Sequence, residues 1–153
     1  MIRVLFVCHG NICRSTMAEY VMKYLVRQSG MESDFVIDSA GTSNEEYGNP
    51  VHRGTQKKLR EKGIPCGNHR ARKMRKEEYA AFDYIICMER YNIQNIMRII
   101  GSDPDHKVQR LLDYTDRPGD IADPWYTGNF DETFDDVMEG CQAFLGYLME
   151  HPQ

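Results

Sequence analysis

Apolar residues in this chain fall into two recurring patterns. Unbroken runs of strand length occur at Ile2 to Val7, Phe35 to Ile37 and Tyr84 to Met88, with a weaker one from Val108 to Leu112. Between them the spacing turns helical. Met17, Tyr20, Val21, Tyr24 and Leu25 share one helix face, and that helix stops near Gly30. A less clearly amphipathic segment from about Val51 to Lys62 ends at Gly63. Ile93, Ile96, Met97 and Ile100 mark a third helix before Gly101, and Phe134, Val137, Met138, Cys141, Phe144, Leu145 and Leu148 mark a long final one.

Strands alternating with helices predict parallel pairing and right-handed crossovers. Continuous rather than alternating apolar runs mean that both faces of the sheet are covered. The fold class is therefore α/β, a three-layer α/β/α arrangement on a four-stranded parallel sheet. No repeat, low-complexity tract or linker divides the chain, so residues 1–153 read as a single domain.

Composition narrows the setting. A chain of 153 residues with 41% hydrophobic and 27% charged residues can bury a core. The net charge of -4 argues against a broad basic face for nucleic acid and against an anionic membrane surface. Any anion site must then be local. The opening apolar run is too short for a signal peptide or membrane span, which gives a cytoplasmic expectation. Five cysteines, odd in number and unevenly spaced, do not form the framework of a small secreted domain.

The chemistry concentrates in "CHGNICRS", residues 8 to 15, between the first strand and the first helix. Cys8 and Cys13 lack the second pair or histidine spacing that would complete a zinc site, and they are too far apart for a thioredoxin-type redox motif. A phosphate cradle fits better. A strand-to-helix loop aims backbone N–H groups and the positive end of a helix dipole at one spot. Gly10 permits close backbone approach, Asn11 tolerates a left-handed conformation, and Arg14 supplies a planar fork for two phosphate oxygens. The same field favours a thiolate at Cys8, to which Ser15 can offer a hydroxyl hydrogen bond. Such a nucleophile attacking a phosphate monoester needs an acid to protonate the leaving oxygen. The acidic loop offers Asp113, Asp116, Asp120 and Asp123. Asp123 is favoured because Pro124 restricts it to extended geometry and Trp125 and Tyr126 can wall a cleft.

The string "VLFVCHGNICRSTMAE" resembles the active-site signature of the low-molecular-weight protein tyrosine phosphatases. The resemblance extends through "DSAGTS", "FDYIICM" and "DPWYTG" and so spans essentially the whole chain. It implies a phosphatase acting on phosphotyrosine in proteins through a phosphocysteine intermediate. Cys8 is then the nucleophile, Arg14 the phosphate clamp and Asp123 the general acid and base, with no metal and no cofactor. His9, Gly10, Asn11, Ile12, Cys13 and Ser15 would bind phosphate or flank the cleft mouth, and Tyr47, Trp125 and Tyr126 would wall it.

The resemblance also implies that His69 braces the loop through Asn11, Ser15 and Ser39. It implies a reversible disulfide between Cys13 and Cys8. Protein arginine phosphatases of this fold carry Thr where Ile12 stands, so Ile12 favours phosphotyrosine. Tyrosine-phosphorylated proteins or peptides are the expected partners, and phosphate, sulfate or vanadate the expected small anions. Neither nucleic acid nor membrane is expected to bind, and the chain should act as a monomer. The basic stretch Arg70, Arg72, Lys73, Arg75 and Lys76 reads as a solvated face, the alternative being a surface that attracts acidic phosphopeptides. Two departures from the family pattern, Thr16 in place of Pro at the first helical position and Glu89 in place of Asp, are expected to leave the chemistry untouched. Rival readings are an arsenate reductase using Cys66 and Cys87, an arginine phosphatase, and a phosphocysteine carrier that needs no acid.

Overall fold

The computed structural model describes residues 1–151. Four parallel strands form one sheet in the order β2-β1-β3-β4: β1 (Ile2–Cys8), β2 (Phe35–Gly41), β3 (Tyr84–Cys87) and β4 (Val108–Arg110). Six α-helices accompany them: α1 (Arg14–Gln28), α2 (Arg53–Glu61), α3 (Glu78–Ala81), α4 (Arg90–Ile100), α5 (Pro124–Thr127) and α6 (Phe130–Glu150).

β1 organises the molecule because it is fully buried from Val4 onward and carries a different core on each face. Val4, Phe6 and Cys8 pack with α1 and α6, against Met17, Val21, Val137 and Phe144. Leu5 and Val7 pack on the other side with Ile85, Ile96 and Ile100. Alternate residues of a strand point to opposite faces, so an unbroken apolar run is what a doubly covered strand requires. After β1 the chain adds β2 on one side, then crosses back to add β3 and β4 on the other. The crevice at the carboxyl end of β1 is thus a topological switch point, where open α/β sheets bind ligands.

Four elements depart from the sequence pattern. Leu111 and Leu112 are not strand residues but open a 3₁₀ turn over Leu111–Tyr114. Both are buried in the α1/α6 core, and consecutive strand residues cannot share a face. β2 runs on through Asp38 and Ser39 to Gly41, paired residue for residue with β1 up to Cys8–Gly41. α3 and α5 are single turns of four residues, too short to leave a helical period. α2 buries only Thr55 and Leu59, which accounts for its weak amphipathic signal. No helix among the described residues is long and apolar enough to cross a membrane.

Candidate active site

The loop between β1 and α1 closes around a pocket of about 110 Å³ lined by Cys8, His9, Gly10, Asn11, Ile12, Cys13 and Arg14, with Asp123, Trp125 and Tyr126 opposite. The first bond of α1 runs from the Met17 N–H to the Cys13 carbonyl, so the N–H groups of Arg14, Ser15 and Thr16 have no acceptor within the helix and remain available to an anion. Thr16 does not start the helix, which already begins at Arg14. Its hydroxyl instead donates to the carbonyls of Ile12 and Cys13, at 2.9 and 3.1 Å, and ties the loop to the first turn.

Asn11 holds the loop in shape. Its φ of 63° is left-handed, a conformation open to Asn at small cost. Its amide nitrogen donates to Ser15 Oγ at 2.8 Å and Ser39 Oγ at 3.0 Å, and its carbonyl oxygen accepts from the Arg72 N–H at 3.1 Å. His69 Nε2 lies 2.7 Å from the same oxygen. Because that oxygen only accepts, the network assigns the proton to Nε2. Ser39 passes the chain on, donating to the buried Glu19 at 2.6 Å. Every member satisfies another, which is the condition under which a buried polar network rigidifies.

Cys8 Sγ sits at the pocket floor, 3.3 Å from the Asn11 N–H that donates to it and 3.0 Å from Ser15 Oγ. With Asn11 occupying a lone pair of Ser15, the hydroxyl proton is free for a thiolate at Cys8. Arg14 is buried, and its guanidinium reaches Glu89, the Ile121 carbonyl at 2.8 Å and Asp123 Oδ2 at 3.3 Å. Burial would lower its pKa, but the negative charges of Cys8, Asp123 and Glu89 outweigh that and raise it. Asp123 caps α5, accepting from the Trp125 N–H at 3.0 Å, and Pro124 occupies the first helical position. One carboxylate oxygen is thereby spent on the cap while the other faces Arg14. Burial and the charges of Cys8 and Asp123 push the Cys13 thiol up, so it stays protonated at neutral pH.

Several residues stand elsewhere than the sequence suggested. Tyr47 is exposed and does not line the pocket; it borders a separate depression with Asp38, Asn44 and Arg72, and the wall beside the loop is Glu45 and Glu46. Glu89 does not stand apart from the pocket: its carboxylate pairs directly with Arg14. Arg72 is not a member of a solvated face: it chelates Glu78 at 2.8 and 2.9 Å and reaches Asp38 at 3.0 Å. Cys87 is wholly buried, and Cys66 borders a groove with Pro50, Arg60 and His69, so neither thiol reaches the pocket. Among the residues without a forecast role, Glu19 carried a usable signal, because it follows Ser15 by four positions and so shares its helix face.

A thiol beneath helix amides, a buried arginine beside it and a carboxylate across the opening are the apparatus of a cysteine-dependent phosphatase. The relatives agree with that class. A model of the low molecular weight phosphotyrosine protein phosphatase family matches residues 3–153. Over 155 residues the chain is 41% identical to the low molecular weight protein-tyrosine-phosphatase YfkJ of Bacillus subtilis, covering 100% of this chain and 99% of that protein. The crystal structure of YfkJ superposes with a TM-score of 0.96 over 100% of this chain and 98% of that one. PtpA of Staphylococcus epidermidis is 37% identical over 151 residues, covering 98% and 96%. DARP, a Drosophila arginine phosphatase, is 31% identical with a TM-score of 0.85, covering 94% and 96%. The chain belongs to the low molecular weight phosphotyrosine protein phosphatase family.

Proposed function

We propose that the chain hydrolyses phosphotyrosine in proteins by double displacement, with Cys8, Arg14 and Asp123 as its catalytic residues. The observation that supports this most is the convergence of those three side chains, far apart in sequence, on one pocket. The Cys8 thiolate attacks phosphorus, the P–O bond to the tyrosine oxygen breaks, and Asp123 gives that oxygen its proton. Asp123, now ionised, takes a proton from water as the water attacks the phosphocysteine. The S–P bond breaks, orthophosphate leaves and the thiolate returns. Arg14 and the loop amides hold the equatorial oxygens in both steps, where electrostatic stabilisation of phosphoryl transfer is largest. Ser15 and the Asn11 N–H stabilise the sulfur as nucleophile and as leaving group.

Ile12 at the pocket wall and the aromatic pair Trp125 and Tyr126 favour a phosphorylated ring over phosphoserine or phosphoarginine. Cys13 serves the same site as a guard. Peroxide oxidises Cys8 to the sulfenic acid, and the Cys13 thiol condenses with it to a disulfide with loss of water. The full chain acts as one domain, a cytoplasmic monomer without affinity for nucleic acid, in keeping with its net charge of -4. Phosphate, sulfate and vanadate occupy the same cradle.

The test is hydrolysis of p-nitrophenyl phosphate and of phosphotyrosine, phosphoserine and phosphoarginine peptides with and without chelator. Chelator-insensitive, vanadate-inhibited turnover selective for phosphotyrosine is expected. Cys8→Ser should be inactive, and Asp123→Asn should lose more rate with poor leaving groups than with good ones. Activity retained by Cys8→Ser, or no turnover by the wild type, sinks the assignment.

A further inference from the structure

Next to the catalytic pocket lies a second, wider groove of about 540 Å³, continuous with it through His9, Arg14, Glu45, Asp123 and Tyr126. Its remaining walls include Glu89, Tyr91 and Asp120. The charge of this double cleft is lopsided. Among the described residues, Arg14 is the one Lys or Arg lining either part, against the carboxylates of Glu45, Glu46, Glu89, Asp120 and Asp123.

Most of those carboxylates are already engaged. Arg14 holds Glu89 and Asp123, Arg110 holds Asp120 at 3.0 Å, and Glu46 accepts from the Asn49 side chain. Glu45 differs. Its side chain is 73% exposed, and among the described residues its carboxylate meets only His9 Nε2 at 3.2 Å. It also lines both parts of the cleft, where the pocket opens into the wider groove.

Two exposed aromatic rings line the same groove as this carboxylate. Tyr91 is 52% exposed and leans on the His9 ring, with centroids 6.4 Å apart, and Tyr126 is 83% exposed. An exposed carboxylate that shares a groove with exposed phenol rings is an environment a Lys or Arg side chain fits, with its stem against the rings and its charge against Glu45. A bound phosphate dianion consumes the positive charge of Arg14 and leaves the adjoining groove more negative still. It thereby strengthens the pull on a neighbouring cation.

We propose that Glu45, with Tyr91 and Tyr126, is a specificity determinant that selects phosphotyrosine segments carrying Lys or Arg beside the phosphotyrosine. This rests on the phosphotyrosine reading of the pocket and names the substrate class that pocket takes. Each residue acts on the flanking side chain and not on phosphorus, so the effect falls on discrimination between peptides. Acidic flanks meet the same carboxylate and are disfavoured.

The experiment measures kcat/KM for phosphotyrosine peptides that differ only in having Lys, Ala or Glu at the positions on either side of the phosphotyrosine. The Lys peptide should exceed the Glu peptide by about five- to tenfold at low salt, the size expected of one exposed ion pair with a cation–π contact. The ratio should shrink toward one in 1 M salt, where the screening length is about 3 Å. Glu45→Gln should reduce the ratio, Glu45→Lys should invert it, and Tyr91→Leu should lower it in part. Equal kcat/KM for the Lys and Glu peptides, or a ratio unmoved by Glu45→Gln, overturns the proposal while leaving the phosphatase reading intact. Failure to hydrolyse any of the phosphotyrosine peptides overturns that reading and the proposal with it.

Discussion

Replacing Asn11 by alanine is the substitution from which the structure predicts most. Four polar contacts end on this buried side chain: two donated, to Ser15 Oγ and Ser39 Oγ, and two accepted, from His69 Nε2 and the Arg72 N–H. The serine hydroxyls can turn to other acceptors, and the His69 ring lies partly at the surface. The Arg72 amide, part-buried, has no second acceptor in the network, and leaving such a group unsatisfied costs up to about 1–3 kcal/mol. The backbone adds to this, since a φ of 63° penalises a Cβ-bearing residue that cannot hydrogen-bond locally by about 1–2 kcal/mol. Asn11→Ala should therefore lose about 2–5 kcal/mol of unfolding free energy, read from urea denaturation. Asn11→Gly separates the two causes. It relieves the left-handed backbone but keeps the broken network, so it should lie between alanine and wild type, offset by its own cost of about 0.4–1 kcal/mol in the unfolded chain. Both variants should also lose kcat, because the Asn11 N–H that donates to Cys8 Sγ is held by the same conformation. If both unfold within about 0.5 kcal/mol of the wild type, the network does not shape the loop and the argument for its rigidity is wrong.

Other outcomes follow from neighbouring features. Gly41→Ala would put a Cβ 2.7 Å from the His9 carbonyl oxygen, so β2 or the loop must shift. About 1–3 kcal/mol of stability and a fall in kcat/KM are expected, and a variant as stable and active as the wild type contradicts that crowding. Arg14→Lys keeps one charge but cannot serve Glu89, the Ile121 carbonyl and Asp123 together. Its kcat should fall by about 10²–10³, and a loss under tenfold would show that the planar fork is not needed. Burial raises Cys87 to about 12 and, with lesser contributions, Tyr20 to about 12. The folded values lie above the unfolded ones, so the unfolded chain binds fewer protons in this range. Stability is complete below about pH 8.5–9 and falls as pH rises toward 12. Denaturation at a series of alkaline pH values should show a shallower decline for Cys87→Ala, by up to about 1.4 kcal/mol per pH unit, and an unchanged slope would refute the contribution of this thiol.

The sheet was legible in the chain because doubly covered strands must be continuously apolar, and the loop after β1 because its residue types serve one purpose. What escaped were features decided by distant partners. Asp38 and Ser39 look polar enough to end a strand, yet β1 keeps them paired to Gly41. Glu89 looks like a conservative change and Arg72 like one cation among several, until folding sets them against Arg14 and against Glu78 with Asp38. Tyr47 and Glu45 lie two residues apart, and only the path of the backbone decides that Glu45 and not Tyr47 meets the pocket. Position alone settles such cases, and a local pattern carries no record of it.

The bonds of Arg14 to Ile121 and Asp123 span 107 and 109 positions. On the proposed mechanism, a ribosome-bound chain that has released β1, α1 and even β3 therefore holds Cys8 and Arg14 without Asp123. Such a nascent chain carries the Cys8 thiol but lacks the proposed proton donor. On the same reading, turnover would begin only when the segment leading into α5 has emerged and docked, so the onset of activity during synthesis would mark the closing of the fold.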